Sequence, residues 1–273
     1  MLGLLLLQVL ASCLWLGHSE VVTSFASCPN FFYDGTTPND VLNPENPAWI
    51  CQCYNDAYRY ATLYNKDKKI SVYSAYIYNP WPDKTHQTWF VEPQLIGKNN
   101  LKEMETEWYH IEKHKFTLDQ INASQAVNAD YNNLTGLERG HLNLNCHQGS
   151  RDNKTATFTL TNIVPQDTNL SKGQWNNYEC KTMSINTQGC TTTYVITGAV
   201  PGNSFVSGGR VNRPSHIWSA ACCLLDKNKT RAWGVIAEND KNKVQNLPLG
   251  QLEARLTSLY GGRAVTLFNS ACP

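Results

Sequence analysis

The chain lacks a dominant charge: 23 basic residues stand against 22 acidic, a net of +1 over 273 residues. A balance like that gives no global pull towards nucleic acid, so any basic footprint has to be local. The short clusters at 66–69, 227–231 and 241–243 read as solvated loops. Long apolar runs are scarce as well. After Leu16 nothing approaches the roughly 20 uninterrupted apolar residues that a spanning helix needs. No repeat, linker or low-complexity tract divides the chain. No two cysteines have the two-residue spacer of a zinc knuckle, which argues against structural zinc.

What is present begins with an apolar segment from Leu2 to Leu16, followed by the small residues Gly17 and Ser19. We read residues 1–19 as a secretory signal peptide cut before Glu20, although no Lys or Arg precedes the apolar run. The mature chain, 20–273, is then one secreted, extracellular domain. Of ten cysteines, Cys13 leaves with the signal. The remaining nine read as a disulfide framework of open connectivity, with at least one thiol left over or joined to another chain. Asn122, Asn133, Asn153, Asn169 and Asn228 each begin an N-x-S/T sequon, as in a glycoprotein.

Strand signals are scattered. Ile70 to Tyr78 is β-branched and aromatic, and Thr155 to Thr161 alternates polar with apolar. Thr192–Ala199, His216–Leu225 and Ala232–Ala237 continue the pattern. One helix stands out, with Leu249, Leu252, Leu256 and Leu259 on one face, Pro248 at its start and Gly261 past its end. A weaker helical stretch runs from about Leu170 to Met183. Strands interrupted by helices without regular alternation predict a single α+β domain on a mixed or antiparallel sheet.

The chemistry concentrates at Glu138-Arg139-Gly140-His141. Histidine accepts a proton near neutral pH, the adjacent cation stabilises a developing anion, and glycine permits close approach. On a helix, Ser171, Trp175 and Glu179 recur at four-residue steps and share a face that points back at His141. A His, an Arg, an Asn and a Glu around one hard cation suit phosphodiester hydrolysis. His110 and His114 lie one helical turn apart but have no third ligand near in sequence, so they do not read as a metal site.

These residues resemble the DNA/RNA non-specific endonucleases of the ββα-metal type, with the secreted endonuclease domain-containing 1 proteins as the nearest branch. The family motif Asp-Arg-Gly-His is matched by 138–141, with glutamate for aspartate. A second signature is matched in order by Asn162, Pro165, Gln166, Trp175 and Glu179. Further matches include Cys28–Tyr33, Tyr60–Tyr64, Val72–Tyr76, Glu92–Leu95, Gln125–Tyr131 and Pro214–Trp218.

The resemblance implies His141 as general base, Arg139 on the phosphate and Asn162 contacting substrate or water. It implies Glu179 fixing the water shell of a magnesium ion (Mg2+), with DNA and RNA as substrates. The family's direct ligand, an asparagine nine positions after Asn162, is here Ser171, a poorer donor; Asn169 replaces it only if the helix starts after it. Leu144 stands for a proline, and Gln87 for an arginine that binds phosphate in many members. The expectation is a metal-dependent endonuclease, or alternatively a weakened relative that binds nucleic acid or a protein outside the cell.

Overall fold

The computed structural model describes residues 20–82, 85–226, 229–268 and 272, so the expected signal peptide and the sequon at Asn228 lie outside the described residues. Its strands are β1 (Glu20–Val22), β2 (Pro47–Tyr54), β3 (Ala57–Asn65), β4 (Ile70–Ile77), β5 (Leu137–His141) and β6 (Ile163–Asp167). They continue with β7 (Thr192–Val200), β8 (Ser204–Val206), β9 (Val211–Arg213), β10 (His216–Leu224), β11 (Thr230–Glu238) and β12 (Gln245–Leu247). The helices are α1 (Glu107–His114), α2 (Leu118–Ser124) and α3 (Arg151–Ala156). A long bulged helix, α4, follows at 168–186, and α5 spans Leu249–Leu259.

Eight strands form one antiparallel sheet in the order β1-β2-β3-β4-β7-β10-β11-β12, while β5-β6 and β8-β9 form separate pairs. The fold is therefore the expected single α+β domain. Alternation of side chains gives the central strands two apolar faces. Tyr76, Val195, Ile217, Ala221 and Val235 pack against β5-β6 and against Trp175, Tyr178 and Met183 of α4. Tyr73, Ala75, Ile196, Trp218 and Ile236 pack against Leu249, Leu252 and Leu256 of α5. Each of those leucines contributes about 1.5–3 kcal/mol by leaving water. Helix α5 comes so close that a Cβ on Gly234 would lie 2.6 Å from Leu252 Cδ2.

Three disulfides staple the sheet: Cys28–Cys51, Cys190–Cys223 and Cys222–Cys272. The adjacent cysteines of β10 point to opposite faces. Cys223 therefore reaches the segment that follows α4, and Cys222 the chain beyond α5. Cys53 is buried, with Sγ 3.4 Å from Glu103 Oε1.

One expected strand is absent. Residues 155–161 run from the end of α3 into a short 3-10 turn, Leu160–Asn162. Ser150 caps α3 by accepting from Asn153 N at 3.1 Å. Apart from Thr155, the polar residues of the stretch are buried as fully as the apolar ones, so chemical alternation here does not mark an inside and an outside. Thr157 Oγ1 donates to Lys154 O, and Thr161 Oγ1 accepts from Gln52 Nε2.

Candidate active site

The Arg-Gly-His stretch is a strand, β5, paired antiparallel with β6 in the register Glu138↔Gln166, Arg139↔Pro165, Gly140↔Val164 and His141↔Ile163. Gly140 is required by this pairing, since a Cβ there would stand 2.5 Å from Gln166 Oε1. From β6 the chain turns directly into α4, whose first amides, Asn169 N and Leu170 N, donate to the Asp167 carboxylate at 2.9 and 3.0 Å. Two strands and a helix thus bring residues 138–141 beside 171–179.

Helix α4 is not a regular α-helix. Two π segments, Ser171–Trp175 and Tyr178–Thr182, interrupt it, and Gly173 has non-helical φ/ψ of −104° and −116°. Asn242, from the loop after β11, fixes the first bulge by accepting from Gln174 N at 2.7 Å; its Oδ1 would be 2.3 Å from a Cβ on Gly173. Bulges of this kind are frequent at functional sites. Trp175 and Glu179 turn inward, and Ser171 turns towards β5.

On one face of β5, Arg139 and His141 share Trp89. The guanidinium carbon lies 4.4 Å from the indole centroid, and the imidazole centroid lies 5.4 Å from it. Phe158 closes edge-on against His141 at 5.3 Å. His141 Nε2 is buried and has no hydrogen-bond partner. Burial, then the Arg139 charge, pulls the imidazole down to about 4, so it is neutral at neutral pH. Arg139 donates to Asn128 Oδ1 at 3.0 Å and to Asn128 O and Asn132 Oδ1 at 3.2 Å. Those partners are neutral, so its charge is positioned without being cancelled.

Beside that pair in β5, Glu138 Oε1 accepts from Ser171 Oγ and Lys172 Nζ lies 3.3 Å from Glu138 Oε2, so the start of α4 meets Glu138 instead of the expected His141. Glu179 is 7% exposed. Burial raises its carboxyl well above the usual carboxylate range; the nearby Trp175 indole N–H opposes this, and the Glu138 charge adds to it. Its backbone carbonyl accepts from His147 Nε2 at 2.9 Å. Asn169, the other candidate ligand, is exposed and lies inside α4, which begins at Thr168, so it does not take the place of the missing asparagine. Among the described residues, no group of three or more His, Cys, Asp or Glu side chains forms a metal cluster.

Asn162 is placed differently from the expectation that it contacts substrate or water. Its amide oxygen accepts from Ser74 Oγ at 2.8 Å and Asn143 N at 2.9 Å. Its nitrogen donates to Asn143 O and Thr157 O, both at 2.9 Å. All four bonds are internal, so the side chain fixes the chain that leaves β5. Gln87 is exposed two residues before Trp89. Trp89, Tyr131 and Lys172 complete the surroundings, and no local signal in the sequence singles them out.

The oxygen donors of Glu138, Ser171 and Glu179 fit a hydrated hard cation. The Glu138 charge adds to the cost of ionising Glu179, a cost that a divalent ion relieves, and the exposed Lys172 pair is a weak competitor.

Comparisons with known proteins bear on the family and the fold. The family model described as DNA/RNA non-specific endonuclease matches residues 37–259. The endonuclease domain-containing 1 protein of Homo sapiens is 34% identical over 211 residues, which are 76% of this chain and 40% of that protein. The Mus musculus protein of the same name is 31% identical over 241 residues, 85% and 46% of the two lengths. The chain therefore spans less than half the length of these relatives. Mitochondrial endonuclease G of Homo sapiens is 38% identical over 82 residues, 29% of this chain and 27% of that protein. A chain in the crystal structure of the EndoG/EndoGI complex shares the fold, with a TM-score of 0.51 at 15% identity over 77% of this chain and 83% of that one.

Proposed function

The chain belongs to the DNA/RNA non-specific endonuclease family, and from that premise we propose that it is a secreted, magnesium-dependent endonuclease cutting DNA and RNA with little sequence preference. The observation that carries this reading is the buried, unpartnered Nε2 of a neutral His141 beside the uncancelled charge of Arg139. That nitrogen offers a lone pair to a water that enters with substrate. His141 accepts the proton of the attacking water, an effect of about 10²–10⁴ in rate. Arg139 faces the phosphate. Glu138, Ser171 and Glu179 would hold the cation and its waters, and Asn162 positions the chain after β5. The bound cation supplies positive charge for the phosphate and the leaving oxygen.

Export is supported by the apolar segment at 1–19 and by three disulfides, which persist in oxidising compartments. Asn133 and Asn169 are exposed and suit glycan attachment. We take 20–273 as the working domain.

A second reading, a weakened relative that binds nucleic acid without cutting it, is favoured by one feature. Ser171 supplies a single hydroxyl, and that hydroxyl already donates to Glu138. Incubating the purified protein with plasmid DNA and with RNA, in magnesium and in chelator, separates the two. Cleavage of both substrates that stops in chelator supports the enzyme. Retention of both substrates on a gel with no cleavage supports the binder.

A further inference from the structure

We propose that Cys146 and Cys180 close a fourth disulfide, which ties the loop after the His141 strand to the helix that carries Glu179. Both cysteines are exposed and lie outside the three bridges described above. Their neighbours in sequence are already clamped together. His147 Nε2 lies 2.9 Å from the carbonyl of Glu179, and each of those residues is directly bonded to one of the two cysteines.

The His147 ring cannot drift from that position. It is buried, with Nδ1 3.0 Å from Tyr76 Oη, and it packs edge-on against Tyr78 at 4.8 Å. The two thiols are near neighbours, the charge of one raising the cost of ionising the other, and Cys180 Sγ reaches Asn176 Oδ1 at 3.3 Å. The bridge would join cysteines 34 apart in sequence, beside the separation of 33 for Cys190–Cys223.

The oxidant is a small-molecule disulfide of the glutathione type. One cysteine thiolate attacks it, forming a mixed disulfide and releasing one thiolate. The second cysteine thiolate then displaces the other half. Two protons leave the cysteines and protonate the two released thiolates, and the two electrons lost by the cysteines reduce the oxidant. The product holds the two halves of the proposed site at fixed separation, whether or not the site turns over.

The test uses full-length protein secreted from cells, alkylated in denaturant without reduction, digested and sequenced by mass spectrometry. A cross-linked peptide containing Cys146 and Cys180, separating into two on reduction, is the expected result. Alkyl label on both cysteines, or either one joined to a different cysteine, overturns the proposal. As a second measure, Cys146→Ser with Cys180→Ser is expected to lower the melting midpoint by roughly 5–10 °C; an unchanged midpoint overturns the clamp. Neither readout depends on nuclease activity, so failure here is distinct from failure of the proposed function.

Discussion

Glu92 is a carboxyl sealed inside the domain, and replacing it by glutamine should flatten the alkaline limb of stability. Its side chain is buried, Oε1 has no hydrogen-bond partner, and burial pushes its pKa up to about 8. Because the folded value lies above the ordinary 4.5, its contribution is fully present below pH 4.5 and is lost as pH rises through 8. From pH 6 to well above 8 that loss is about 3 kcal/mol, at ~1.4 kcal/mol per pH unit. Glu179, raised in the same sense, adds to it.

Buried histidines act in the opposite direction. His110, His141 and His147 are each pulled down to about 4, chiefly by desolvation, so they withdraw stability as pH falls from 6.5 to 4. His216, also lowered, adds to this acid limb. Between 4.5 and 6.5 these four histidines oppose the raised carboxyls of Glu92, Glu179, Glu105 and Glu253, and above 6.5 the carboxyls act alone. Maximum stability should therefore lie near pH 6.5 in chelator. Urea midpoints from pH 5 to 9 should show the wild type falling on both sides, with Glu92→Gln losing less than the wild type above pH 7. Parallel curves for the two proteins would refute the argument.

Ser171→Asn should tighten manganese or magnesium binding by roughly tenfold, about 1.4 kcal/mol, read by calorimetry on metal-free protein. Unchanged affinity would remove position 171 from the cation site. Asn162→Ala strips four internal hydrogen bonds and leaves Asn143 N and O unpaired, a cost of about 3 kcal/mol in the denaturant midpoint. A midpoint equal to the wild type would contradict the positioning role.

The sequence exposes those parts of the structure whose pattern coincides with burial. Strands β4, β7, β10 and β11 are rich in β-branched and aromatic residues, and α5 buries the leucines its spacing aligns. The stretch 155–161 misleads because Thr157, Thr159 and Thr161 are as buried as its Phe and Leu, each hydroxyl satisfied by a backbone or side-chain group. Leu137–His141 carries no strand pattern. Its pairing with β6 comes from hydrogen bonds across 21 residues of intervening chain, and Gly140 makes room for Gln166.

The same holds at the site. Arg139-Gly140-His141 is visible as a motif, yet the ring against both side chains is Trp89, about 50 residues earlier. The path of α4 past Ser171 depends on Asn242, 68 residues beyond Gln174. Nothing local in the chain encodes either contact.

The central claim is that His141 Nε2 takes a proton from water. Its most direct test is the cleavage rate of plasmid DNA at saturating magnesium for the wild type and a folded His141→Ala variant. The account predicts a loss of about 10²–10⁴-fold with the thermal midpoint retained. Equal rates in the two proteins would contradict it.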